Sequence, residues 1–246
     1  MKGKIYIIGL GPGDPDNMTV RAFQAIEECQ VLVGYTVYIE QVKRLSAGKE
    51  IIKKSMGQEI ERGKIALERA ASGNTVGVVC SGDAGVYGMA GLILELLKDH
   101  PCREDISWEV IPGITSALSC SSLLGAPIVE DFCTISLSDY MTPWEKIILR
   151  LEKACEGDFT IAIYNPRSLA RPDYLKLALD VIKKYRTGDT PIGIVRNAYR
   201  EDQSVVLTTL KEFDPETIDM FCTLIIGNSR TYEAHGLMIT PRGYRI

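Results

Sequence analysis

The chain has 246 residues, of which 46% are apolar and 24% charged, with a formal net charge of −4. This balance is ordinary for a soluble globular enzyme, permits a sizeable core and removes the electrostatic case for a nucleic-acid binder. No window approaches the roughly 18 uninterrupted apolar residues of a membrane span, so none is expected.

In chain order, the opening KIYII reads as a first strand over residues 4–8. It does not read as a targeting signal, because the glycines of GLGPGD end the apolar run and no cleavage site follows; a cytoplasmic protein is expected. Further apolar runs predict strands over 31–33, 75–80, 108–111, 160–164, 192–195 and 223–226. Helical periodicity predicts helices over 19–28, 59–71, 85–98, 143–155 and 172–185. Alternation of the two predicts an α/β fold with largely parallel strands, buried on both faces. The stretch 197–210, NAYREDQSVVLTTL, reads as turn and strand, so an antiparallel hairpin is expected in the second half. The small-residue segment GITSALSCSSLLGAPIVED reads as a short helix feeding a linker and predicts a boundary: one α/β domain over 1–113, a linker over 114–128 and a second α/β domain over 129–246.

The seven cysteines are scattered without a C-x-x-C pair and read as buried thiols. His100 and Cys102 share the polar turn DHPCRED and read as solvated loop residues, so no metal site is expected.

Small and polar residues follow six of the apolar runs: GLGPGD, Ser81-Gly82-Asp83, Pro112-Gly113-Ile114-Thr115-Ser116, Asn165-Pro166-Arg167, Arg196-Asn197-Ala198 and Gly227-Asn228-Ser229. Open α/β sheets bind ligands beyond the carboxyl ends of their strands, so these loops predict a ligand cleft between the two halves. Such turns also favour small residues for their own geometry.

The first loop departs from the dinucleotide fingerprint: Gly9 and Gly11 fit, but Asp14 stands where the third glycine belongs. No lysine follows to make a phosphate-binding loop. Asp14 is either a helix cap or a ligand-facing acid. With Asp83 in the second loop, the acids favour a cofactor that lacks phosphate and carries positive charge. S-adenosylmethionine meets that description; a sugar or an amine fits as well.

The combination of GLGPGDPDNMT, VCSGDAGVYGMAG and VIPGITSALSCSSLLGAP resembles the tetrapyrrole (precorrin) methyltransferases of cobalamin biosynthesis. VGYTVYIEQV, IAIYNPRS, GIVRNAYR and LIIGNSRTYEAHGLMITPRGY narrow the likeness to the branch that methylates C17 of precorrin-3B or cobalt-factor III, and it runs over residues 3–244. The resemblance implies two α/β domains with S-adenosylmethionine in the cleft between them, and a homodimer. It implies that Pro12 borders the cofactor, that Ser81, Gly82, Asp83 and Val86 line its methionine end, and that Thr115 and Ser116 continue that wall. It places Tyr164 or Asn165, Ala198 and Gly227 at the adenosine. Many relatives carry a methionine near Tyr164–Asn165 and read GDP in place of GDA; neither change removes the glycine or the aspartate.

Arg167 and Arg196 are the candidate anchors for the macrocycle's carboxylates, because a guanidinium grips them in pairs. Asp14 is the candidate acid–base residue for ring contraction. Any cobalt is expected to arrive within the substrate. The competing readings are an NAD-dependent dehydrogenase, a non-catalytic tetrapyrrole or S-adenosylmethionine binder, and a sister methylase acting at C11, C20 or C2. The dehydrogenase requires an acid at the end of the second strand, where the sequence reads VLVGYT.

Overall fold

The computed structural model describes residues 2–168 and 170–245. The chain divides into two compact units, residues 1–115 and 116–246.

In the first unit, β1 (Gly3–Gly9), β2 (Val31–Tyr35), β3 (Glu50–Lys54), β4 (Thr75–Cys80) and β5 (Ile106–Ile111) form one sheet in the order β3-β2-β4-β1-β5. Every pairing in it is parallel. Side chains of β1 alternate between two cores. Ile5 and Ile7 pack with α3 (Glu59–Ala71) and α4 (Ala90–Lys98). Tyr6 and Ile8 pack with α1 (Val20–Glu28) and α2 (Thr36–Gln41). A parallel strand covered on both faces needs this continuous apolar run, which explains why KIYII shows no alternation. Helix α1 starts where the Thr19 hydroxyl accepts the Ala22 N–H at 3.1 Å, and it buries Ala22, Ala25 and Ile26 along one stripe. The chain leaves adjacent strands β1 and β4 for opposite faces of the sheet, which makes their carboxyl ends the topological switch point.

In the second unit, the sheet combines β7 (Phe132–Ser136), β8 (Thr160–Tyr164), β9 (Pro191–Arg196), β10 (Ser204–Thr209) and β11 (Cys222–Ile226) in the order β10-β9-β11-β8-β7. Helices α6 (Trp144–Glu156) and α7 (Tyr174–Ile182) cover one face, and α5 (Ser116–Leu124) the other. A small sheet joins β6 (Gly125–Ala126), β12 (Tyr232–Ala234) and β13 (Leu237–Ile239).

The parallel expectation fails in this unit. In its five-stranded sheet, β7 and β8 pair parallel, whereas β11 is antiparallel to both β8 and β9, and β10 to β9. The β9–β10 pair is the hairpin read from residues 197–210. The short helix read in residues 114–128 is α5, but the stretch is not a free linker: it also contains β6 and packs on the second sheet. Ala117, Cys120 and Leu124 recur at helical spacing, are buried, and pack against Ala162, Val195 and Ile225 of the second sheet. The small residues of that stretch permit close packing against the sheet.

Candidate functional site

The loops beyond β1, β4 and β5 are joined backbone to backbone. Leu10 donates its N–H to the Cys80 carbonyl at 2.8 Å, and Gly11 and Gly82 exchange N–H···O bonds at 3.0 and 2.8 Å. Both glycines hold positive φ, +71° and +66°, where a side chain is strained. A Cβ at Gly113 would stand 2.2 Å from the Gly82 carbonyl oxygen, and one at Gly9 would stand 2.7 Å from both that oxygen and the Gly113 nitrogen. The glycines of GPGD, SGD and PGI therefore make one cradle of main chain at the switch point.

Asp83 closes this cradle. Its Oδ1 accepts the Gly85 N–H at 2.8 Å and its Oδ2 accepts the Gly113 N–H at 2.9 Å. Each oxygen keeps a further lone pair, but the carboxylate's first task is to tie the β4 loop to the β5 loop. Pro12 is buried; Ser81, Asp83, Val86 and Thr115 are half-buried. Thr115 ends the first unit and Ser116 opens α5 in the second.

Asp14 caps a turn, and that turn is not α1. Its side chain accepts the Asp16 N–H at 3.1 Å and the Asn17 amide at 3.5 Å, starting the 3-10 turn Pro15–Asn17. Below the SGD loop, burial pushes the Cys80 thiol up to about 11. Burial likewise pushes Cys29 to about 12 and Cys120 to about 11. These thiols stay protonated at neutral pH and supply no thiolate nucleophile.

In the second unit, β8 and β9 end at one edge of the sheet. The Tyr164 hydroxyl accepts the Ala117 N–H at 2.8 Å in the first turn of α5. Asn165, at φ +50°, donates from its amide to Ser136 Oγ at 2.9 Å. Ala198 is half-buried between two left-handed residues, Asn197 and Tyr199.

Gly227 does not join this edge. Because β11 runs against β8 and β9, its first residue, Cys222, faces Arg196, and its last, Ile226, faces Ile192. Gly227 then donates its N–H to Pro191 at the start of β9. Five strand residues, roughly 17 Å, separate the two edges. The expectation that Gly227 shares a ligand with Asn165 and Ala198 is corrected by this strand direction: the β11 residues at their edge are Phe221 and Cys222, and the Phe221 carbonyl accepts the Asn197 N–H at 3.2 Å.

The GNSRTY motif is structural in this fold. Asn228, 4% exposed, accepts through Oδ1 from the Arg230 N–H and the Thr231 hydroxyl, both at 3.0 Å. Thr240 donates to the Pro127 carbonyl at 2.6 Å, and its hydroxyl oxygen lies 2.7 Å from that of Thr231. Asp158 accepts both the Ser229 N–H and its hydroxyl.

The two candidate anchors differ. Arg167 spends its terminal nitrogens on the turn before β11: Nη1 on the carbonyls of Glu216 and Pro215 at 2.9 and 3.4 Å, and Nη2 on the Glu216 carboxylate at 2.5 Å. Among the described residues, Arg196 bonds through Nε, which donates to Asp219 Oδ2 at 2.9 Å. No pattern local to either arginine predicts this, since the partners lie 49 and 23 residues away.

These elements define a protein of two α/β units whose first unit brings three glycine-rich loops into close main-chain contact at a switch point. The chain belongs to the Tetrapyrrole (Corrin/Porphyrin) Methylases, whose family model matches residues 4–214. It is 47% identical, over its whole length, to the cobalt-factor III methyltransferase of Priestia megaterium, and spans 46% of that longer protein. It is 45% identical to the probable cobalt-factor III C(17)-methyltransferase of Salmonella typhimurium, with 98% of this chain and 100% of the relative covered. The precorrin-3B C(17)-methyltransferase of Sinorhizobium sp is 36% identical, with 99% and 98% covered. Among solved structures, the methyltransferase CobJ superposes with a TM-score of 0.92 at 35% identity, covering 97% of this chain and 100% of that one. Among the described residues, no helix is long and apolar enough to cross a membrane, and no group of three or more His, Cys, Asp or Glu is arranged to hold a metal ion.

Proposed function

We propose that this chain transfers a methyl group from S-adenosylmethionine to C17 of a tetrapyrrole, with contraction of the ring, in cobalamin biosynthesis. The observation that carries the reading is the 45% identity to a C(17)-methyltransferase matched from end to end. The stronger identity to the two cobalt-factor III enzymes than to the precorrin-3B enzyme favours the cobalt-containing macrocycle. The same likeness supports a cytoplasmic homodimer.

The first unit's cradle fits the cofactor's chemistry. Its glycines let the three loops meet main chain to main chain, and the loops carry Asp83 and Asp14 where a phosphate site would carry a lysine. When bound, S-adenosylmethionine supplies a methyl group already activated by its sulfonium, so no protein nucleophile is required and protonated thiols are no handicap. Pro12, Ser81, Gly82, Asp83, Val86 and Thr115 are the proposed contacts in the first unit. Ser116, Tyr164, Asn165 and Ala198 are those in the second. The protein's contribution is to hold the macrocycle carbon in line with the methyl, a matter of orientation that supplies roughly 7–11 kcal/mol in favourable cases.

Asp14 remains the proposed acid–base group for contraction. Asparagine caps a turn about as well as aspartate, so Asp14→Asn is expected to fold normally and to bind both ligands. Its turnover is expected to fall about 10²-fold or more, the usual contribution of a positioned acid or base. Full turnover in the folded variant would leave Asp14 as a cap alone.

The activity itself is tested by incubating the protein and S-adenosylmethionine with cobalt-factor III and with precorrin-3B in parallel. Mass spectrometry is expected to show one added methyl on the cobalt macrocycle. A protein that binds both ligands yet methylates neither macrocycle would contradict the proposal.

A further inference from the structure

Arg196 stands out among the arginines at the carboxyl edge of the second sheet because its environment sets the guanidinium without consuming it. It is the last residue of β9 and lies directly across from Cys222 of β11. Its Nε is held by Asp219 Oδ2 at 2.9 Å, and its guanidinium carbon lies 5.6 Å from the centre of the Phe221 ring. Asp219 is itself fixed, since its Oδ1 accepts the Phe221 N–H at 2.9 Å and the Cys222 thiol at 3.3 Å. Burial opposes the charge on Asp219, but Arg196, the Phe221 amide and the Cys222 thiol outweigh it and hold the carboxyl below the usual carboxylate range. Among the described residues, Nη1 and Nη2 of Arg196 have no hydrogen-bond partner, and the side chain is 37% exposed. A guanidinium bound through Nε alone still presents the pair of terminal N–H groups that takes a carboxylate end-on. Arg167 cannot do this while both its terminal nitrogens are closed on residues 215–216.

We infer that Arg196 is the receptor for one peripheral carboxylate of the macrocycle, and that Asp219 and Phe221 are its positioning residues, with Arg167 bracing the turn before β11. This rests on the proposed tetrapyrrole substrate. Asp219 restrains the Nε side, the Phe221 ring restrains one face, and the open fork is left for the ligand. Asp219 supplies geometry, and the attraction for a carboxylate comes from the Arg196 guanidinium.

The test is a double-mutant cycle on Arg196 and Asp219, read as KM for the tetrapyrrole. Arg196→Ala and Asp219→Ala are each expected to raise KM by roughly tenfold, the loss of one charge-assisted bond, with kcat and S-adenosylmethionine affinity within about twofold of wild type. The double variant should be no worse than Arg196→Ala alone, because Asp219 acts through Arg196. Arg196→Lys, which keeps charge without the fork, should fail to restore KM. Should Asp219→Ala unfold, Asp219→Asn replaces it in the cycle, and thermal melts establish which variants are folded. Additive effects, unchanged KM in either folded single variant, or recovery by lysine would overturn the assignment. A wild-type protein that methylates no macrocycle would instead overturn the proposed function, so the two failures are distinct.

Discussion

Gly113→Ala is expected to destabilise the first unit by about 3 kcal/mol or more, the upper range for forced overpacking, and to abolish measurable cofactor binding. The new Cβ would stand 2.2 Å from the Gly82 carbonyl oxygen and 2.7 Å from the carbonyl carbon and oxygen of Gly9. All three obstacles are main chain, and the strands β1 and β4 that carry them are laddered in register from Lys4↔Thr75 to Gly9↔Cys80. A flexible side chain could swing away; these groups can yield only by opening the cradle. Gly91→Ala provides the control. Gly91 lies in α4 with nothing within 4 Å of its would-be Cβ, so alanine there should be neutral or stabilising by up to about 1 kcal/mol. Urea denaturation of both variants, with calorimetric titration of S-adenosylmethionine, checks the contrast. Equal stability and affinity in the two would show that the loops do not meet as described.

Asp83→Ala is expected to cost about 2–3 kcal/mol of stability and to weaken S-adenosylmethionine roughly 10- to 100-fold. Two backbone donors, Gly85 N–H and Gly113 N–H, lose a charged acceptor at once. Their half-exposed setting lets water replace part of each bond, which keeps the expectation below the sum of two full charge-assisted bonds. Asp83→Asn retains one carbonyl oxygen and should fall between wild type and alanine in both stability and affinity. Should alanine weaken the cofactor without lowering the melting temperature, Asp83 would be a direct ligand contact and the loop-tying role would be wrong.

Much of the first unit was legible because its elements are local. Strand β4 and helix α3 follow the residues read for them, 75–80 and 59–71, since a buried parallel strand and an amphipathic helix each write their period into a short window. Strands β3 and β7 left weaker marks. EIIKK and FCTIS lie at sheet edges or near them, partly exposed, so the solvent-facing residues interrupt the apolar run. Helix α4 begins at Ala90 and not at 85, because the stretch after Asp83 is spent on the loop, with Tyr87 at φ +53°.

The site was legible as a set of loops and not as a set of contacts. GPGD, SGD and PGI announce close backbone approach by composition, and the structure brings them together. Strand direction carries no such mark: LIIG reads the same whether β11 runs with β8 or against it, so nothing in the sequence places Gly227 at the opposite edge from Asn165 and Ala198. Likewise, nothing near Arg167 or Arg196 reveals that one is closed on Glu216 and the other only steadied by Asp219.

The central claim is methyl transfer to one defined carbon, and carbon NMR of the product made with methyl-labelled S-adenosylmethionine tests it most directly. A single labelled methyl on C17 of a ring-contracted macrocycle is expected. A label at C11, C20 or C2, or a labelled ring that has not contracted, would contradict it.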